Sequence, residues 1–80
     1  MANIVLTPAA RRQWLKLTPQ VRERLDAKLN SFADTGRGDI KKLQGQDRFR
    51  LRVGDYRILF YRDALAVIVV DVGHRRDIYE

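Results

Sequence analysis

Eighty residues without a cysteine allow one domain, residues 1–80, with one modest core and no disulfide or thiolate site to staple it. A single histidine argues against a zinc or di-metal centre, so neither metal nor cofactor is expected. The excess of 16 Lys and Arg over 10 Asp and Glu, a net charge of +6 and a pI near 10.3, points to a polyanionic partner: nucleic acid, an anionic membrane surface or an acidic protein.

In chain order, Asn3 to Leu6 is a short apolar run and reads as a strand. Thr7-Pro8 then supplies an N-cap and a first helical residue, because proline pre-sets φ where no N–H is needed. The helix that follows runs to about Leu17 and turns Trp14 and Leu17 inward. Thr18-Pro19 repeats the signal and opens a second helix, with Val21, Leu25, Leu29 and Phe32 at near-helical spacing on one face. Gly36 and Gly38 end it. Helices joined by so short a break form an αα-hairpin, and the charges on their outer faces, Arg11, Arg12, Lys16, Arg22, Arg24 and Lys28, read as solvated.

From Arg48 the period changes to two, in DRFRLRVGDYR, the mark of half-buried strands. Gly54-Asp55 is a Gly-X pair suited to a two-residue type II′ turn. With those two residues as the loop, Val53 faces Tyr56, Leu51 faces Ile58 and Phe49 faces Phe60, which makes one apolar face. The other face then pairs Arg52 with Arg57, Arg50 with Leu59 and Arg48 with Tyr61, since directly opposed residues share a side. A third run, Val67 to Val72, is continuous and β-branched, as in a strand covered on both faces. The order is β-α-α-β-β-β, an α+β fold: a mostly antiparallel sheet with the two-helix hairpin packed on one face.

Four arginines thus gather on one side of the sheet, where like charges opposite one another are destabilising. One reading is an exposed face that happens to be basic. The other is a surface that binds a phosphate backbone, with Tyr61 as an aromatic neighbour for a base. After the last strand, VGHRRDIYE brings His74, Arg75, Arg76 and Tyr79 together; Asp71, within that strand, is expected to pair with an arginine.

KLQGQDRFRLRVGDYRILFYRD followed by VIVVDVGHRRDIYE resembles the RelE family of the RelE/ParE superfamily of bacterial and archaeal toxins. The likeness spans the whole chain and is strongest from Lys42 to Tyr79. It implies the toxin of a type II toxin–antitoxin pair with a RelE-like microbial RNase fold. That toxin would enter the ribosomal A site and cut mRNA there by attack of a 2′-hydroxyl on the adjacent phosphate. It implies as partners the ribosome and mRNA, an acidic RelB-like antitoxin, and operator DNA through that antitoxin. Carried over by position, the catalytic set falls on Arg48, Arg50, Arg57, Arg75 and Tyr79, with Arg48 and Arg57 clamping the scissile phosphate, Arg75 on the leaving oxygen and Tyr79 on a splayed base. Arg52, Tyr61 and Arg76 are expected as further RNA contacts.

Some members of the family carry lysine where this chain has Arg48 and Arg50, with one lysine proposed as general base. Arginine does not deprotonate in proteins, so His74, whose ordinary pKa lies near neutrality, is the candidate base or proton relay here. Two alternatives share the fold: a ParE-like gyrase-inhibiting toxin, and a catalytically inactive relative that only binds its antitoxin. No apolar run is long enough to span a bilayer, and the N-terminal residues lack the apolar stretch and cleavage site of a leader. A cytoplasmic location with no membrane partner is therefore expected.

Overall fold

The computed structural model describes residues 2–43, 45 and 47–78. Its elements follow in the order β1 (Asn3–Leu6), α1 (Pro8–Lys16), α2 (Pro19–Thr35), β2 (Ile40–Lys42), β3 (Phe49–Val53), β4 (Tyr56–Arg62) and β5 (Ala66–His74). The helix boundaries arise as the sequence predicts. Thr7 and Thr18 cap α1 and α2, their hydroxyls accepting from the Ala10 and Val21 N–H groups at 3.2 and 3.3 Å. Gly36 closes α2 in the left-handed conformation (φ 72), donating its N–H to the Phe32 carbonyl at 2.7 Å.

The sheet order is β1-β5-β4-β3-β2. β1 runs parallel to β5, and every other pair is antiparallel. The helical hairpin therefore carries the chain from one edge of the sheet to the other. It buries Ala10, Leu25, Leu29 and Phe32 against Leu51, Val53, Ile58, Phe60, Val67, Val69 and Val72. Phe60 is the centre of this core, 5.2 Å from the Phe32 ring and 5.6 Å from the Phe49 ring. Arg62 lies on the same side, its guanidinium over both Phe32 and Phe49 at 5.5 and 5.7 Å.

The β3–β4 register is the expected one, from Phe49↔Phe60 to Val53↔Tyr56. Gly54 has φ 58, and no described non-glycine has positive φ, which is the sign pattern of a type II′ turn. Two features depart from expectation. The chain has a fifth strand, β2, which pairs Ile40↔Leu51, Lys41↔Arg50 and Lys42↔Phe49; three residues with one apolar side chain carry no readable period. And β5 holds a bulge: Leu59 faces Asp71 while Phe60 faces Val69, so Val70 is the extra residue. Asp71 meets Gln13 of α1, whose Nε2 donates to Asp71 Oδ1 at 2.6 Å, and Gln13 Oε1 accepts from Val72 N–H at 3.1 Å. The expected arginine partner is replaced there by an amide.

Gly54→Ala should lower stability by about 1–2 kcal/mol, the cost of forcing a Cβ into a left-handed conformation. The added Cβ would also lie 2.9 Å from Arg24 Nη2. Urea unfolding checks this, with a lower midpoint at an unchanged m-value as the expected result.

Candidate nucleic-acid interface

The pleat assigns each candidate side chain to a side. Arg50 and Arg52 of β3 and Arg57 and Tyr61 of β4 lie opposite the helices, with Arg52↔Arg57 and Arg50↔Leu59 as direct partners. Arg48 lies just before β3; its carbonyl accepts from Leu43 N–H at 2.9 Å, which carries the β2–β3 register one pair further and keeps Arg48 on the arginine side. The expected Arg48–Tyr61 pair lies outside the β3–β4 ladder; Tyr61 pairs with Ile68 across β4–β5.

Two contributors to this face were not foreseen. Lys41 opposes Arg50 directly and adds a fifth cation. Asp39, one residue before β2, continues the register: Arg52 N–H donates to its carbonyl at 3.0 Å. Its carboxylate bridges two arginines, Oδ1 to Arg50 Nη2 at 3.2 Å and Oδ2 to Arg52 Nε at 3.0 Å. The only sequence signal for either would have been recognition of β2. The like-charge pair Arg52↔Arg57 is relieved by divergence. Arg52 turns to Asp39, while Arg57 Nη1 folds back onto the Gly54 and Tyr56 carbonyls at 3.0 Å each.

The face is also less open than its charge suggests. Leu43, Leu59 and Ile78 are buried on it, with Val70 packed against them. Ile78 reaches back over Gly73, where an added Cβ would lie 3.3 Å from Ile78 Cδ1. This apolar island explains why the Arg50 side chain, beside Leu59, is only 13% exposed whereas that of Arg52 is 54% exposed.

Arg75 joins the arginines at the turn end of the hairpin. Gly73 pairs with Arg57, Arg75 N–H donates to the Asp55 carbonyl at 2.7 Å, and Arg75 Nε lies 3.8 Å from Asp55 Oδ1. Arg76 is exposed in the same turn. Tyr79 lies outside the described residues.

His74 is not brought to the arginines. It pairs with Tyr56 and meets that ring edge-on at 5.5 Å, on the side of the sheet that faces α1. Its Nδ1 accepts from Arg76 N–H at 3.2 Å, and its carbonyl accepts from Asp77 N–H at 2.8 Å. The bulge is the cause. An unbroken alternation from Val67 and Val69, both in the core, would send position 74 to the arginine side, and one extra residue sends it to the other.

The family model for the ParE toxin of type II toxin–antitoxin systems matches residues 4–79. The chain belongs to this toxin family. Solved structures similar to the toxin include the RelBE2 toxin–antitoxin complex from Mycobacterium tuberculosis, at 25% identity over 92% of this chain and 98% of that one, with a TM-score of 0.81. The intact E. coli RelBE toxin–antitoxin complex is 26% identical over 92% of this chain and 96% of that one, with a TM-score of 0.81. The isolated E. coli RelE toxin matches at 26% over 92% and 84%, with a TM-score of 0.80. A comparison with curated protein sequences found no match. Membership of the RelE/ParE superfamily and the α+β fold therefore stand as expected. No described helix is long and apolar enough to cross a membrane.

Arg57→Ala should leave the toxin folded, with a stability change below about 1.5 kcal/mol, since it removes hydrogen bonds at a partly wet turn and opens no core cavity. A thermal melt followed by circular dichroism measures it.

Proposed function

We infer that this toxin is an mRNA endoribonuclease acting in the ribosomal A site, held in check by an acidic antitoxin. The observation that carries the reading is the convergence of Arg48, Arg50, Arg52 and Arg57 on one sheet face, with Arg75 tied to the same hairpin end through Asp55. The likeness to RelE toxins at 25–26% identity over nearly the whole chain supports it. Complexes of those relatives with antitoxins support a RelB-like partner, which would reach operator DNA on the toxin's behalf.

The chemistry this face suits is phosphoryl transfer within RNA. The 2′-oxygen bonds to the adjacent phosphorus, the bond from phosphorus to the 5′-oxygen breaks, and a 2′,3′-cyclic phosphate is left. Negative charge grows on the phosphorane and on the departing oxygen. Guanidiniums fixed beforehand in a partly dry site stabilise that charge more than water does. Arg57 and Arg48 take the phosphate oxygens, Arg75 stabilises the 5′-oxygen, which takes a proton from water as it leaves, and Tyr79 stacks on a base. Arg50, Arg52, Tyr61 and Arg76 hold the flanking strand.

The 2′-hydroxyl proton needs an acceptor that is not arginine. His74 stands on the far side of the sheet, and its Nδ1 already accepts a backbone N–H two residues on. That is the role an asparagine plays in an Asx-turn. His74 therefore serves as a positioning residue: it shapes the turn that presents Arg75, and the proton passes to water.

The ParE name of the family model favours a second reading, inhibition of gyrase. Induced expression with mapping of mRNA 5′ ends separates the readings. Cuts confined to translated frames support the nuclease. A DNA-damage response without such cuts supports the gyrase reading, and unimpaired growth an inactive relative.

In a ribosome cleavage assay Arg57→Ala should slow cutting by about 10²- to 10³-fold, the effect of losing one donor to a developing anion. His74→Asn should keep most of the rate, because its side-chain oxygen can replace Nδ1 in the turn. A proton-transfer role for His74 would make that variant as slow as His74→Ala.

A further inference from the structure

The geometry points to a second anion site on this toxin, one that its own Asp39 carboxylate fills and that a backbone phosphate of single-stranded nucleic acid takes over on binding. The inference deepens the nucleic-acid reading above and rests on it for the nature of the ligand.

The site lies just before β2, where β3 runs on with β4 on one side and no described strand on the other. The two Asp39 oxygens contact different guanidiniums, Arg50 Nη2 at 3.2 Å and Arg52 Nε at 3.0 Å. Two non-bridging oxygens of one backbone phosphate, with the same single negative charge, would make the same bridge, and the neighbouring phosphates of the strand add charge that Asp39 lacks. Arg50 is held down beside the apolar island, so one side of the cradle is preformed.

The surroundings are cationic. A groove of about 470 Å3 between α2 and the β3–β4 turn is lined by Arg24, Lys28, Arg52, Asp39 and Gly54 among others. Arg24 lies across the turn within 2.9 Å of where a Gly54 Cβ would stand, so glycine there gives the guanidinium its seat. Lys41 opposes Arg50 on the other flank. Among the described residues Asp39 is the carboxylate seated between these cations, and its side chain is 51% exposed.

Two properties make displacement feasible. The Arg52–Asp39 pair, 54% and 51% exposed, contributes little to stability, and Arg50, 13% exposed, keeps an anion beside it because the phosphate takes the place of the carboxylate. The Asp39 backbone is fixed independently of its side chain, by the Arg52 N–H to Asp39 carbonyl bond at 3.0 Å; the carboxylate can swing to solvent without unpairing β2. In the free toxin the carboxylate then weakens attraction to bulk nucleic acid. A strand seated against Arg57 still overcomes it, because its next phosphates reach Arg52 and the α2 groove.

The test is binding of a fluorescent single-stranded 2′-deoxyoligonucleotide to the 80-residue toxin, read by anisotropy over a range of salt. This probe has no 2′-hydroxyl and cannot be cut. Asp39→Asn should tighten binding on the order of fivefold and steepen the salt dependence by about one phosphate contact, roughly 0.7 in log–log slope. Asp34→Asn, the same charge change at an exposed position of α2, measures the effect of net charge alone. Adding Arg52→Ala to Asp39→Asn should abolish the gain. Equal effects of Asp39→Asn and Asp34→Asn, or a gain that survives Arg52→Ala, overturns the proposal. Weaker binding by Asp39→Asn also overturns it, because the carboxylate would then be supporting the arginines. Asp39→Ser repeats the measurement if the asparagine variant unfolds. Tighter binding by Asp39→Asn in a toxin that cuts no mRNA would keep this site and remove the nuclease reading.

Discussion

A two-residue turn allows one register only, and at Gly54-Asp55 that register decides which side of the sheet receives the core. A loop one residue longer would shift the parity of β4 and bring Ile58 and Phe60 to the arginine side. The glycine makes the short loop possible through its positive φ of 58, in the twist sense that antiparallel strands prefer. Burial of Phe49, Leu51, Val53, Ile58 and Phe60 against the helices and concentration of the arginines on the reverse are therefore one structural fact. The hydrophobic gain on one face offsets the charge repulsion on the other.

That repulsion is handled locally. Arg57 turns to backbone carbonyls, Arg52 and Arg50 share Asp39, and Arg75 leans on Asp55. The two carboxylates among these partners, Asp39 and Asp55, are 51% and 66% exposed. The arginine side chains are thus held in place by the fold's own groups. The apolar island of Leu43, Leu59 and Ile78 stiffens the base from which Arg50 projects.

The parts legible in the sequence were those governed by short-range rules. Proline after threonine marked both helix starts, glycine marked the end of α2, and alternation across a two-residue loop gave the β3–β4 pairing residue by residue. What escaped depended on contacts distant in sequence. β2 is too short for a period and exists because β3 offers it an edge, and Asp39 acquires its partners only through β2. The Val70 bulge leaves no mark in a run of β-branched residues, yet it decides the side on which His74 emerges. Adjacency to Arg75 in sequence suggested a shared site; the bulge sends the two side chains to different sides of the sheet.

Gln13 has a consequence beyond its two hydrogen bonds. β1 stops pairing with β5 at Leu6↔Val69, and the rest of the longest strand would present an open row of peptide groups. The amide of Gln13 covers one peptide group of that row, accepting from Val72 N–H, and is held there by donating to the Asp71 carboxylate. The sheet's outer strands are themselves brief, four residues in β1 and three in β2. Exposed strand edges are where sheet proteins recruit one another into aggregates. Here the template is short at both edges and blunted in between, so the fold leaves little open edge for another strand to join.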